Sequence, residues 1–196
     1  MTPFNRRRFL AMSGTGLVVG ASPLWAQGLP EGANDVVRDG LPQVRRNQSG
    51  FRTIDWRDHF ATLGVATIIA DTRSRALSFW NADGSDYRVY PTSVPISEDL
   101  TKRGHTTVVR KRVGPDWTPT PSMVERNPEL RYMPPGPDNP LGTHAMYLGW
   151  PAYLIHGTHD TRKIGRPSSD GCIGLYNEKI EELFAVTPVG TQVLIL

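Results

Sequence analysis

Short apolar runs, several of them alternating with polar residues, dominate the chain from residue 64 onward and predict a structure made mostly of β-strands. Gly and Pro, with 19 and 17 residues, are frequent between the runs, which argues against a helical bundle. Asn81-Ala82-Asp83-Gly84 lies between two runs and is typical of a hairpin turn. The predicted strands cover residues 65–70, 76–80, 87–90, 106–113, 145–148, 153–155 and 191–196.

Two segments have helical spacing instead. Ile180, Leu183 and Phe184 fall on one face of a helix, so a short helix is predicted near the C-terminus. Asn177 is the expected N-cap of this helix. Residues 51–63 also carry apolar side chains at helical spacing, and we predict that they form a short helix or an arm docked on the domain.

Residues 114–140 form a long proline-rich segment with no sustained period. A structureless segment of this length inside a compact domain is usually a lid or a binding loop. We therefore interpret Trp117, Tyr132 and Met133 as residues of a lid wall that contacts a substrate. The alternative is that these side chains only pin the loop to the core.

The first 26 residues have the composition of an export signal. Arg6 and Arg7 precede Phe9-Leu10 and a weakly apolar stretch, which is the twin-arginine pattern, and Ala26 offers a cleavage point. The alternative, a retained membrane anchor, is disfavoured because the run is short and rich in Gly and Ser. The predicted organisation is an export signal at 1–26, a linker and N-terminal arm at 27–63, and one compact domain at 64–196.

The net charge of the chain comes largely from this predicted signal. Of the 22 Lys and Arg residues, three lie in the first 26 residues, which contain no acidic residue, so 19 basic residues face 19 acidic ones in the remainder. We therefore predict no nucleic-acid partner. After removal of the signal, no stable membrane span is expected either.

Cys172 is the only cysteine, and His156 lies sixteen residues before it. A thiolate is a nucleophile, and a nearby histidine can take the thiol proton and later return it to a leaving amine. The alternative is a small buried side chain at Cys172 and a turn histidine at His156. Export favours the reactive interpretation, because exported proteins tend to use cysteines in disulfide pairs and this chain has no second cysteine to pair with Cys172.

The sequence around the cysteine resembles the L,D-transpeptidase (YkuD-like) family of cell-wall enzymes. The matching positions are His156-Gly157-Thr158, Ile164-Gly165, Ser169, Gly171-Cys172-Ile173 and Leu175. Two positions depart from the family pattern: Asp170 replaces the usual histidine, and Gly174 replaces the usual arginine. The resemblance covers about residues 64–196, and it implies a mostly β, mixed sandwich-like or barrel-like catalytic fold with one or two short helices.

The resemblance also implies an activity, that of an exported peptidoglycan L,D-transpeptidase of the periplasm or cell envelope. Cys172 would form a thioester with a tetrapeptide stem and release D-alanine, and an acceptor amine would then resolve the thioester. His156 would be the base, oriented by the carbonyl of Gly157. The amides of Gly171 and Cys172 would hold the oxyanion, and Ser169 would shape the turn. No metal or cofactor is expected.

The sequence also offers candidate residues for substrate recognition, each with an alternative interpretation. His144 begins a predicted strand and is included with the lid residues as a candidate substrate contact, although placement in a turn is the favoured interpretation. Residues 110–112, Arg-Lys-Arg, are either a contact for an acidic wall polymer or a solvated strand face, and the second interpretation is favoured. Asp170 either meets a substrate cation or is a harmless turn variant. A basic residue in place of the missing arginine is expected from Arg162, Lys163 or Arg166.

Two other functions stay open at this stage. Water could resolve the same thioester, which would make the protein an L,D-carboxypeptidase or endopeptidase, and sequence does not separate the two acceptors. A non-catalytic wall-binding domain on the same fold is the second alternative. The retention of both Cys172 and His156 argues against it.

Overall fold

A computed structural model of the chain describes residues 52–196. The predicted export signal, its cleavage point at Ala26 and most of the predicted linker lie outside these residues. The strands are Ala66–Asp71 (β1), Ala76–Asn81 (β2), Tyr87–Pro91 (β3), Val94–Pro95 (β4), Gly104–Val113 (β5), His144–Leu148 (β6), Leu154–Thr158 (β7), Pro167–Ser169 (β8), Ile173–Tyr176 (β9) and Gln192–Ile195 (β10). The α-helices are Pro121–Arg126 (α1) and Asn177–Val186 (α2), and single 3₁₀ turns lie at Trp56–Asp58, Glu98–Leu100 and Thr161–Lys163.

Eight strands form one mixed sheet in the order β3-β2-β1-β10-β5-β6-β7-β9, and β4 pairs with β8 beside it. The pairs β1–β10 and β7–β9 are parallel, and the other pairs of the large sheet are antiparallel. The predicted mostly β, barrel-like fold with short helices is confirmed. Seven of its ten strands match the predicted apolar runs, whereas the short strands β4, β8 and β9 were not predicted.

The main core lies between the curved sheet and α2. Ile180 and Leu183 of α2 are fully buried, and Phe184 packs beside them, so the predicted apolar stripe is confirmed. Asn177 is not the N-cap that the sequence suggested. It is the first residue of α2, and its Oδ1 accepts a hydrogen bond from the amide of Thr143.

The arm before β1 covers a second apolar cluster on the other face of the sheet. Leu63 is buried there with Ile69 of β1 and Trp80 of β2, and Trp56 and Phe60 pack against them. These contacts dock the described part of this segment on the sheet. Burial on both faces also explains why β1 is apolar along nearly its whole length.

A β-bulge in β5 changes which face its later residues occupy. Val108 pairs with Leu148, but Arg110 pairs with Tyr147, so Val109 is the extra residue. Because side chains alternate between the faces of a strand, one inserted residue reverses the direction of every side chain that follows.

Alternation separates the three basic residues 110–112, and the bulge determines which face each one occupies. Lys111 reaches α2, where its Nζ donates to the carbonyls of Phe184 and Thr187, the latter at 2.6 Å. These carbonyls end the helix, where a cation is favourable. Arg110 lies over the ring of Tyr147. The expectation that residues 110–112 are one solvated face is therefore wrong for Lys111.

The segment 114–140 is not structureless along its whole length. It contains α1, which Thr120 caps by accepting a hydrogen bond from the amide of Met123, and Pro121 occupies the first helical turn. Trp117 and Met133 exchange two backbone hydrogen bonds of 2.8 Å, which close the segment into a hairpin-like loop. None of the helices formed by residues 52–196 has the length and apolar character that crossing a membrane requires.

Candidate active site

Two neighbouring parallel strands bring the predicted nucleophile and base to one face of the sheet. In the β7–β9 pair, Ile155 is opposite Ile173 and His156 is opposite Gly174. Cys172 immediately precedes β9, two residues before Gly174, and alternation therefore places it on the face that His156 occupies. The sequence spacing of sixteen residues spans a loop that returns the chain to the adjacent strand.

His156 is buried, with 8% of its surface exposed, and its ring is fixed by its neighbour. Its Nδ1 hydrogen-bonds to the carbonyl of Gly157. A carbonyl only accepts, so Nδ1 carries the proton and Nε2 is the basic nitrogen. Burial lowers the pKa of His156 to about 4, the hydrogen bond to Gly157 opposes this shift, and the nearby charge of Lys163 adds to it. The imidazole is therefore neutral at neutral pH and can accept a proton.

Cys172 is an unpaired cysteine whose residue surface is partly exposed. Burial of the thiol raises its pKa to about 11, a hydrogen bond from the backbone of Leu154 opposes the shift, and the charge of Asp170 reinforces it. The thiol donates to the carbonyl of Ala152 at 3.5 Å. At rest the thiol is thus protonated, and it would need a base to act as a nucleophile.

The turn that precedes Cys172 is held by its own side chains. The hydroxyl of Ser169 donates to the carbonyl of Cys172 at 2.6 Å and accepts weakly from the amide of Gly171 at 3.4 Å. Gly171 has φ +130°, a conformation that favours glycine, and an added Cβ would lie 3.4 Å from atoms of Leu100 and Tyr153. This geometry gives Ser169 and Gly171 a clear part in shaping the turn.

Ser93 occupies the space beside Gly174 and was not found from the sequence. It is buried, and its Oγ accepts from the amide of Gly174 at 3.1 Å. A Cβ at position 174 would overlap this oxygen and would lie 3.8 Å from Cε1 of His156. The structure therefore has no room for a larger residue at 174 while Ser93 stays in place. No local signal could have identified Ser93, because it lies 81 residues away in sequence.

The cation nearest to Asp170 comes from the long loop. Nη2 of Arg126, in the last turn of α1, lies 2.6 Å from Oδ1 of Asp170. From the sequence, a nearby cation was expected from Arg162, Lys163 or Arg166. Of these, Arg162 instead pairs with Asp160 at 2.7 Å, and Lys163 lies close enough to His156 to influence its pKa.

The candidate substrate contacts lie at different distances from this site. Trp117 packs in the apolar cluster that also contains Cys172, Leu154 and Tyr147, so the loop does reach the site. Met133 is held beside Trp117 by their backbone pairing, whereas the side chain of Tyr132 is 57% exposed. Trp117 therefore anchors the loop beside Cys172.

His144 does not face the site. Ala145, its neighbour in β6, packs in the cluster with Cys172, so alternation sends His144 to the opposite face. There its ring meets Phe184 of α2 at a centroid distance of 4.7 Å, and its Nδ1 is 3.0 Å from Oγ1 of Thr143.

Within residues 52–196, no three His, Cys, Asp or Glu side chains form a group suited to holding a metal ion. The site instead offers a thiol, a neutral imidazole and backbone amides around one turn. This set of groups is suited to acyl transfer through a covalent intermediate.

Comparison with known proteins defines the class of this β-rich domain. Residues 66–195 match the model of the L,D-transpeptidase catalytic domain, YkuD. The chain therefore belongs to the YkuD-type L,D-transpeptidase family.

Individual relatives agree with this assignment. The chain is 67% identical over 160 residues to a protein of Fuscovulum blasticum that is assigned to the L,D-transpeptidases, covering 81% of this chain and 85% of that protein. It is 39% identical over 139 residues to ErfK/SrfK of Escherichia coli K12, also assigned to the L,D-transpeptidases, covering 68% of this chain. Only 44% of the Escherichia coli protein is covered, so the chain spans less than half of that relative's length.

Solved structures support the fold alone, since their sequences are distant. An L,D-transpeptidase from Mycobacterium smegmatis superimposes with a TM-score of 0.54 at 18% identity, covering 67% of this chain and 58% of that one. L,D-transpeptidase 3 from Mycobacterium tuberculosis gives a TM-score of 0.54 at 16% identity, covering 67% of this chain and 61% of that one.

Proposed function

We propose that the protein is an exported peptidoglycan L,D-transpeptidase that works through a thioester on Cys172. The observation that carries the proposal is the placement of His156 and Cys172 on one face of two adjacent strands, with the basic Nε2 of His156 left free by the bond to Gly157. Membership of the family supports the reaction class.

In the proposed first step, Nε2 of His156 takes the thiol proton as Sγ of Cys172 attacks the carbonyl before the terminal D-alanine of a tetrapeptide stem. The amides of Gly171 and Cys172 hold the oxyanion that forms, as positioned N–H donors do in acyl transfer. The C–N bond then breaks, the proton passes from His156 to the leaving amine, and D-alanine departs.

The second step repeats this chemistry with an acceptor. An amine of a neighbouring stem loses a proton to His156, attacks the thioester carbonyl and expels the thiol, which regains the proton. Water in place of the amine would give hydrolysis, so the acceptor determines whether the enzyme forms cross-links or trims stems.

Product analysis tests the reaction and its acceptor together. We expect purified tetrapeptide stems with an added amine acceptor to yield free D-alanine and an amide-linked product, detectable by mass spectrometry. Cys172→Ala should abolish both products, and His156→Ala should slow their formation by roughly 10²–10⁴-fold, the usual contribution of a positioned acid–base group.

The control for this experiment is His159→Ala, since His159 is an exposed histidine three residues further along the chain. This variant should keep full activity. A tripeptide as the only product would identify a hydrolase, and full turnover by Cys172→Ala would refute the proposed nucleophile.

We also propose that residues 1–26 direct export of the folded protein through a twin-arginine route to the periplasm or cell envelope, with cleavage after Ala26. The pattern Arg6-Arg7 before Phe9-Leu10 supports this. Replacing both arginines by lysine should leave precursor in the cytoplasm, as seen by fractionation and immunoblotting. Normal export of that variant would rule out the twin-arginine route without affecting the enzymatic proposal.

A further inference from the structure

Strand register places Arg110 at one end of a row of side chains that crosses three strands, and Cys172, the residue before β9, at the other end. Arg110 of β5 is paired with Tyr147 of β6, and Tyr147 is paired with Leu154 of β7. The next position in the β7–β9 register sets Leu154 beside Cys172, and these two residues share an apolar cluster with Tyr147. All four side chains therefore lie on the face of the sheet that His156 occupies.

The bulge in β5 is the reason why Arg110 belongs to this row. Without the extra residue Val109, the pairing that joins Val108 to Leu148 would continue with Val109 opposite Tyr147. Arg110 would then lie opposite Met146, on the buried face of the sheet. Bulges commonly occur next to active sites, where they redirect a side chain.

The guanidinium of Arg110 is positioned but has no carboxylate partner. It lies 3.6 Å from the centroid of the Tyr147 ring, a close cation–π contact that holds it above β6. Arg112, which faces the same side, is paired with Asp116, and five other arginines within residues 52–196 pair with acidic residues. No acidic side chain of residues 52–196 forms such a pair with Arg110.

We propose that Arg110 binds a carboxylate of the acyl-donor peptide and so determines how the donor lies across the sheet from Cys172. Strands are about 4.8 Å apart, so the guanidinium above β6 is two spacings, or about 10 Å, from the strand that follows Cys172. An extended peptide covers about 3.3–3.6 Å per residue, so this span corresponds to roughly three residues. A planar guanidinium stacked on a ring can still present its N–H groups to a carboxylate.

The proposed donor thus extends from Cys172 over Leu154 and Tyr147, with the attacked carbonyl at one end and an upstream carboxylate at the other. The apolar side chains between the two ends give the peptide a surface to lie on, and Arg110 gives it a direction. The inference rests on the proposed transpeptidase function, because it assigns a role within the same site.

The test compares two donors that differ only in charge: the tetrapeptide stem, and the same stem with its carboxylates upstream of the terminal D-alanine converted to amides. Arg110→Gln should lower kcat/KM for the first donor roughly ten- to a hundredfold, the usual effect of losing a hydrogen bond to a charged group. The amidated donor should be processed equally by wild type and variant. Arg110→Lys should recover part of the loss, because the charge returns without the planar fork.

Two controls separate recognition from folding. Arg57 also lies over an aromatic ring, that of Trp56 at 4.5 Å, but in the N-terminal arm, so Arg57→Gln should change neither rate. Alkylation of Cys172 by iodoacetamide, a small neutral reagent, should proceed equally in wild type and Arg110→Gln. An equal loss of kcat/KM on both donors, or no loss on either, would overturn the assignment.

Binding to Cys172→Ala keeps this test separate from the reaction itself. Isothermal titration should show that Arg110→Gln in that background weakens binding of the charged stem and not of the amidated one. If the wild type releases no D-alanine while this difference remains, the proposed reaction fails and the carboxylate site stands. If binding is the same with and without the arginine, the carboxylate site fails whatever the reaction.

Discussion

At the residue scale, burial keeps the two central side chains uncharged. The pKa of His156 falls to about 4 and that of Cys172 rises to about 11, in both cases mainly because the charged form is desolvated. A preformed thiolate–imidazolium pair is therefore disfavoured in the resting site. In the proposed reaction, charge develops only as the substrate is attacked, when the amides of Gly171 and Cys172 stabilise the oxyanion.

The lowered pKa of His156 has a consequence for stability. An unfolded histidine has a pKa of about 6.5, so the unfolded chain gains a proton between pH 6.5 and 4 that the folded chain does not take up. Stability from this residue is thus present above pH 6.5 and is lost as the pH falls through 4. Between pH 7 and 4.5 we expect wild type to lose about 2–3 kcal/mol more unfolding free energy than His156→Gln.

Urea unfolding at the two pH values measures this difference. The glutamine variant is the reference for wild type, since all other titrating groups are the same in both proteins. Equal losses of unfolding free energy in the two proteins would show that His156 titrates normally in the folded state.

At the element scale, α1 is tied to the turn before Cys172 by the Arg126–Asp170 pair. Both side chains are about half exposed, so the pair contributes little to global stability, in the range of about 0–1 kcal/mol. Its main effect is expected on the loop, because a loop opens locally at a much lower free-energy cost than the whole domain unfolds. Asp170, which departs from the family pattern in this turn, thus also contacts the long loop.

We predict that Asp170→Asn and Arg126→Gln both increase proteolytic cleavage of residues 114–140, by up to about fivefold, since each removes the same pair. Only Asp170→Asn should also shift the pH dependence of the Cys172 alkylation rate to lower pH, because the charge of Asp170 raises the pKa of that thiol. Rates of limited proteolysis and of iodoacetamide alkylation across pH measure the two effects. Superimposable alkylation profiles for wild type and Asp170→Asn would eliminate the electrostatic effect of Asp170.

The elements that follow local rules were predictable from the sequence. The stripe of Ile180, Leu183 and Phe184 located α2, and alternating runs located most strands, because each pattern reflects one buried face. The short helix α1 was missed because the many prolines around it suggested an irregular loop. Thr120 followed by Pro121 was the available signal, since it joins an N-cap residue to a proline in the first turn.

At the scale of the whole molecule, the site depends on pairings that connect distant parts of the chain. The motif predicted Cys172 and His156, and the parallel β7–β9 pair explains why their spacing works. It did not predict Ser93 beside Gly174, nor Arg126 beside Asp170, because these contacts are set by tertiary packing. The same limit applies to Arg110, whose direction depends on the single inserted residue in β5.

The same register explains the wrong prediction at His144. A residue at the start of a strand can point to either face, and only the pairing of Ala145 with His156 shows that His144 points away from Cys172. Sequence alone does not fix that choice, because the strand is buried on both sides.

The central claim is that Cys172 is acylated by a peptidoglycan stem, and the mass of the intact protein tests it most directly. After incubation with purified tetrapeptide stem and no added amine, we expect a mass increase equal to the mass of the tetrapeptide minus that of D-alanine, because the thiol proton leaves with the amine of D-alanine. Digestion should place the modification on Cys172, and Cys172→Ala should remain unmodified. An adduct on another residue, or D-alanine release by Cys172→Ala, would contradict the account.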